Sequence, residues 1–246
     1  GELMEINIEN MDKQFEEFVN DSEVEFNEKQ ICSIIAISNG NGFNDLFINL
    51  GMDKIVKCEK TLNPSVEEIL NSIEECQTDH VIILPNEKNA MMACNLAGEE
   101  SMKNVSILNT KSIPEGLASM MSYNNELDIN TNIANLENYT NDMIFGAISL
   151  ASRSGVMNNI EYNEGEYIVV INDAILFAET SLIKSIEKTI SYMEPDSDNL
   201  VTVYWGDQSK ENQSELENKL IDCFNSTEME FQYGGQSNIE AWVVIE

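Results

Sequence analysis

Residues 31–42 read ICSIIAISNGNG, and this stretch decides the fold. Ile31 to Ile37 is a short β-branched run without polar alternation, the pattern of a strand covered on both faces, as parallel strands are. It breaks at Ser38-Asn39-Gly40-Asn41-Gly42, where two glycines permit a tight turn, and Phe43 to Leu50 follows with helical periodicity. A buried strand, a polar turn and a helix make the first half of a βαβ unit.

The same pattern recurs outward along the chain. Lys54 to Cys58, His80 to Leu84 and Val105 to Leu108 are further strand-like runs, separated by helical patterns at Ser65 to Cys76 and Glu87 to Gly98. Repeated units of this kind imply a parallel sheet layered with helices and right-handed connections. The helix after the second strand has two candidate starts. Asn63-Pro64 fits N-cap and first-turn positions, and Ser65 with Glu68 fits a capping box.

Asp128 to Ser152 keeps apolar residues at helical spacing, with Gly155 near its end, and reads as one long bridging helix. Glu166 to Leu176 then suggests a hairpin turning at Asn172-Asp173. A helix near Ser181 to Met193, a strand near Leu200 to Trp205, a helix near Lys210 to Phe224 and strands near Met229 to Tyr233 and Ala241 to Ile245 complete the reading. The expected architecture is two α/β domains. The first, over 25–127, holds a mainly parallel βαβ sheet, and the second, over 153–246, a smaller mixed sheet with a β-hairpin and helices; the helix over 128–152 bridges them. Residues 1–24 read as an amphipathic linker helix that starts without a cap or initiator Met, as a segment of a longer protein would.

Composition narrows the partners. The chain has 246 residues, of which 42% are hydrophobic, enough for a substantial core. Its 13 Lys and Arg against 44 Asp and Glu give a formal charge of -31. A body this acidic repels phosphate backbones and anionic leaflets, which makes nucleic acid and membrane surfaces poor partners. No apolar run suits a membrane span, and the N-terminal stretch lacks the layout of a signal peptide, so a soluble cytoplasmic protein is expected. Cys32, Cys58, Cys76, Cys94 and Cys223 are widely spaced without a CxxC pair, and read as reduced core thiols.

Chemistry in an open α/β sheet collects outside the carboxyl ends of the strands. Four polar loops fall there: Ser38 to Gly42, Thr61 to Ser65, Pro85 to Asn89 and Thr110 to Gly116. Together they form a rim dense in amides and hydroxyls, with candidate residues Asn39, Gly40, Asn41, Gly42, Thr61, Asn63, Ser65, Asn86, Lys88, Asn89 and Ser112. The glycines and the following helix N-termini would present N–H groups to a phosphate, a carboxylate or a partner's main chain. The same residue types also serve simply as turn and cap residues, and Asn86 is a candidate helix N-cap. Lys88 and Lys111 are the cations of these loops. Tyr233-Gly234-Gly235-Gln236 either exposes Tyr233 and Gln236 for contact or forms a loose turn. His80, the single histidine, starts a strand at the end opposite the rim, and no phosphate loop, HExxH or compact Asp-x-Asp set occurs. No catalytic residue and no metal ligand is assigned.

The series SNGNG, TLNPS, ILPNEKN, SIPEG and YGGQ, in this order, resembles the C-terminal region of the ATP-binding subunit of bacterial fatty-acid kinase, over nearly the whole chain. That family shares its α/β architecture with DegV-like fatty-acid-binding proteins and with the substrate-binding part of dihydroxyacetone kinases. The resemblance implies a division of labour. An N-terminal all-helical domain of the same polypeptide would hold ATP and magnesium, a DegV-like protein would carry the fatty acid, and this region would help dock it. The product would be an acyl phosphate used for phospholipid synthesis. No cofactor and no turnover are expected of this chain alone, and a homodimer of the full-length protein is compatible with the resemblance. The rival reading is a stand-alone small-ligand-binding domain for a fatty acid or a phosphometabolite.

Overall fold

Strand β1, Ser33–Ser38, is buried along its whole length, and its alternate residues enter different cores. Ile34 and Ala36 face one apolar cluster, while Ile35 and Ile37 face another. This two-sided burial is why the run shows no polar alternation. The computed structural model describes residues 31–246 except 140–142, 173, 197, 208–212 and 246. The helix expected over 1–24 lies outside the described residues, as do Asp173 of the expected hairpin turn and Lys210.

After β1 come α1 (Asn41–Asn49), β2 (Lys54–Lys57), α2 (Val66–Glu74), β3 (His80–Leu84), α3 (Lys88–Glu100) and β4 (Asn104–Ile107). The strands form a parallel sheet in the order β2-β1-β3-β4. Next are α4 (Ile113–Ser119), continued by a 3₁₀ turn at Met120–Ser122, then α5 (Ile129–Tyr139) and β5 (Ile144–Leu150). A short ribbon, β6 (Gly155–Met157) with β7 (Ile160–Tyr162), precedes β8 (Tyr167–Ile171), β9 (Ala174–Glu179), α6 (Leu182–Met193), β10 (Leu200–Trp205), α7 (Gln213–Cys223), β11 (Glu228–Tyr233) and β12 (Ala241–Ile245). The second sheet runs β11-β10-β12-β5-β8-β9; β10 and β11 pair parallel and the other neighbours antiparallel. The chain thus holds two α/β domains, one on a parallel βαβ sheet and one on a mixed sheet with a hairpin.

Three apolar clusters order the layers. Helices α2 and α3 pack on the outer face of the parallel sheet, and α6 and α7 on the outer face of the mixed sheet. Between the sheets, Ile34, Ile82 and Leu84 share one core with Phe43 and Phe47 of α1, Leu117 of α4, Leu136 of α5, and Tyr204, Trp242 and Val244 of the mixed sheet. Residues 31–246 cluster as one compact unit because this central core belongs to both sheets.

The bridging helix over 128–152 is corrected. Helix α5 ends at Tyr139, and Ile144–Leu150 is a strand between β12 and β8. Met143, Ala147 and Leu150 fit a helical rhythm, but alternation also fits: Phe145 and Ala147 meet the central core, and Ile148 meets the outer one. Pairing on both edges decides between the two readings. The loop expected at Thr110 to Gly116 is likewise shorter, because Ile113 already begins α4. Among the cysteines, Cys32, Cys76 and Cys94 are buried, and burial pushes the Cys94 thiol up to about 12; Cys223, read as a core thiol, is exposed.

Candidate functional site

A cleft of about 360 Å³ opens where the carboxyl ends of the parallel strands face the inner side of the mixed sheet. One wall comes from the strand-end loops: Asn39, Thr61, Asn63, Asn86, Lys88 and Asn89. The opposite wall is Phe145 and Ala147 of β5, Val170 of β8 and Trp242 of β12, with Gln236, Asn238 and Ile239 at the side. Lys60 and Lys111 also border it. A neighbouring cleft of about 550 Å³ shares Lys111, Phe145 and Asn172, and is lined further by Thr110, Glu115 and Glu137.

Several expected rim residues are engaged elsewhere. Gly40 has φ 87°, and a Cβ there would lie 2.3 Å from the Gly234 carbonyl oxygen. A Cβ on Gly42 would lie 1.7 Å from that of Tyr233. The Phe43 amide donates to the Gly234 carbonyl at 3.0 Å. Helix α1 therefore directs its N-terminus at the Tyr233-Gly234-Gly235-Gln236 loop, and the two glycine motifs serve their mutual backbone approach. Asn41 is exposed outside the cleft lining. The Tyr233 hydroxyl donates to Asp207 Oδ1 at 2.9 Å, away from the lining residues.

Two serines act as caps. Ser65 Oγ accepts the Glu68 amide at 3.2 Å while Glu68 Oε2 accepts the Ser65 amide at 2.8 Å, a capping box. Those hydrogen bonds, led by the one from the Ser65 backbone, hold the Glu68 carboxyl below its ordinary value. Ser112 is buried and accepts the Glu115 amide at 3.2 Å at the start of α4.

Asn86 is not the N-cap of α3; Glu87 holds that position without a side-chain cap bond. Asn86 instead has φ 58°, donates its amide to Thr110 Oγ1 at 3.0 Å and donates Nδ2 to the Ile37 carbonyl at 3.0 Å. The left-handed backbone, which Asn tolerates better than most residues, lets one side chain tie β1 to the β3 and β4 loops. Its Oδ1 lies beside Gly116 and is buried without a hydrogen-bond partner. Gln236 repeats the pattern: Nε2 donates to the Tyr204 carbonyl at 3.3 Å and Oε1 is buried without a partner. Asn39 Nδ2 donates to the Lys60 carbonyl at 3.4 Å, and Asn238 Nδ2 donates to the same carbonyl. Trp242 Nε1 is a further buried polar atom without a partner.

Glu115 is 4% exposed. Burial pushes its carboxyl up, and the Lys111 amide, which donates to Oε2, opposes that shift.

Of the expected residues, the cleft gathers Asn39, Thr61, Asn63, Asn86, Lys88, Asn89 and Gln236. Lys60, Asn238, Phe145 and Trp242 were missed. For Trp242 the available signal is parity, since Trp242 and Tyr204 are cross-strand partners and share the inner face. Among the described residues, no group of three or more His, Cys, Asp or Glu could hold a metal ion, and no helix is long and apolar enough to cross a membrane.

The FakA-like C-terminal family, the C-terminal region of fatty acid kinase, matches residues 33–246. Protein YloV of Bacillus subtilis (strain 168) is 28% identical over 242 residues, which cover 96% of this chain and 44% of that protein. The chain spans about half the length of the relatives it matches. Among solved structures, the DegV family protein Cg2579 of Corynebacterium glutamicum superposes with TM-score 0.62 at 10% identity, covering 89% of this chain and 97% of that one. A DegV family protein from Thermus thermophilus, described for its fatty acid binding, gives TM-score 0.59 at 12% identity, covering 87% and 99%. These likenesses are likenesses of fold.

Proposed function

The chain belongs to the FakA-like C-terminal family of fatty acid kinase, and on that premise we propose that it is a non-catalytic docking module. In this reading it receives a DegV-like fatty-acid-carrying protein, so that a nucleotide domain elsewhere in the same polypeptide phosphorylates the acyl carboxylate. The observation that carries the proposal is the clasp between Gly40-Asn41-Gly42 and Tyr233-Gly234-Gly235. The glycine-rich turns that a catalytic or phosphate-binding loop would aim at substrate hold the two sheets together instead. A body fixed in this way loses little freedom on association, which suits a docking platform.

The test mixes this chain with the DegV-like protein of its own genome in a calorimeter, beside the full-length kinase polypeptide. Association of both supports docking. Association of only the full-length polypeptide would place the docking surface elsewhere. If a basic patch on the partner meets this acidic chain, the on-rate falls with added salt.

A further inference from the structure

The lysines of this chain are not spread evenly. Lys60, Lys88 and Lys111 all border the 360 Å³ cleft, whereas Glu87 is the single acidic residue among the described lining residues. In a chain with 13 bases and 44 acids, this reverses the overall balance. A cleft of one sign focuses potential onto a ligand of the other.

Two further features point to a ligand. Helix α3 extends over 13 residues from Lys88, and Glu87, Lys88 and Asn89 at its start border the cleft with no side-chain cap bond. Its first amides and its dipole favour an anion there. Gln236 and Asn86, 2% and 1% exposed, each use the amide nitrogen on a main-chain carbonyl and leave the amide oxygen unmatched. Flipping either amide would set oxygen against a carbonyl oxygen, so the hydrogen bonds themselves fix the orientation. Buried acceptors without donors are costly unless something supplies the donor. Trp242 Nε1 contributes one unmatched donor to the same lining.

We infer that this cleft binds a small hydroxylated phosphate. Its anionic group meets Lys60, Lys88 and the start of α3, its hydroxyls serve the amide oxygens of Asn86 and Gln236, and its carbon skeleton rests on Phe145 and Trp242. The volume lies near the lower end of the roughly 300–1,000 Å³ usual for small-ligand sites. The floor is a hydrogen-bonded sheet whose far side is filled by Ile148, Val169 and Val243, all 0% exposed, which favours a compact ligand over a long acyl tail. The inference is independent of the docking proposal, since a bound ligand neither requires nor forbids a protein partner.

The experiment titrates the full chain with glycerol 2-phosphate, glycerol, inorganic phosphate and palmitate, following heat and tryptophan emission. Glycerol 2-phosphate is expected to bind more tightly than glycerol or inorganic phosphate, and more weakly as sodium chloride is added. The exposed pair Lys60→Gln/Lys88→Gln should lose about tenfold or more in affinity with unchanged melting temperature, because charge-assisted hydrogen bonds are the strong ones. Lys184→Gln, on the exposed face of α6, should not change it. Binding of palmitate but no phosphate, binding of none of the four probes, or full affinity in the double lysine variant would each overturn the inference. Failure of the docking test would leave all of these readings in place, so the two proposals fail separately.

Discussion

The Phe43 amide donates to the Gly234 carbonyl at 3.0 Å, so the first turn of α1, in the parallel-sheet domain, is capped by a loop about 190 residues further along that belongs to the other sheet. The contact needs both partners bare. Gly42 and Gly40 remove side chains from one surface, and Gly234 does so on the other, where a Cβ would meet Gln236 Oε1 at 2.3 Å and the Phe43 ring at 2.6 Å.

Gly42→Ala should therefore destabilise the chain by about 1–3 kcal/mol, the usual range for forcing extra atoms into a packed contact. Gly51→Ala is the control. Gly51 has φ 85° but nothing within 4 Å of its Cβ position, so its cost is confined to left-handed backbone strain of about 1–2 kcal/mol. Urea denaturation checks both, and a Gly42→Ala chain as stable as the parent would remove the clasp from the account.

Ser65→Ala should lower stability by about 0.5–2 kcal/mol through loss of the N-cap. Ser65 lies outside the cleft lining, so ligand affinity should not change. Thermal unfolding beside the glycerol 2-phosphate titration separates the two effects.

Lys103 Nζ donates to the carbonyls of Ile73 at 2.9 Å, Glu74 at 3.4 Å and Cys76 at 2.6 Å, closing the C-terminal end of α2 with a cation. Lys103→Met keeps the apolar stem and should cost about 1–2 kcal/mol, from the helix-end charge and the hydrogen bonds together. Hydrogen exchange should show the loss concentrated in the last turn of α2.

Burial raises the Glu115 carboxyl above its ordinary value of 4.5. The folded chain then holds this proton more tightly than the unfolded chain does. The contribution to stability is full below the ordinary value and is lost as pH rises through the raised one. Glu115→Gln retains an acceptor for the Lys111 amide without ionising, so the variant should gain on the parent between about pH 4 and pH 7. Equal pH slopes for the two chains in urea denaturation would refute a buried ionisation at this position.

The parallel strands were legible because each is a continuous apolar run, and His80–Leu84, Leu200–Trp205 and Ala241–Ile245 agree with the sequence reading at both ends. Ile144–Leu150 was not legible. Its apolar residues satisfy two periodicities at once, and the hydrogen bonds to β12 and β8 that settle the matter come from residues distant in sequence. The loops of the site were visible as polar interruptions after strands, but not which residues face the cleft. Ser65 and Ser112 look like Asn39 and Asn63 in sequence, yet the first two complete local caps while the latter two line the cleft.

By itself the sequence determined which segments are buried on both faces, where the turns fall and how acidic the chain is, because all three follow from local residue chemistry. Only the tertiary structure decided that the two glycine motifs close on one another, that Trp242 and Phe145 wall a cleft opposite Asn86, and that three of the few lysines converge there. Those relations join residues separated by most of the chain. They arise from the packing of one sheet against another, which no local pattern encodes.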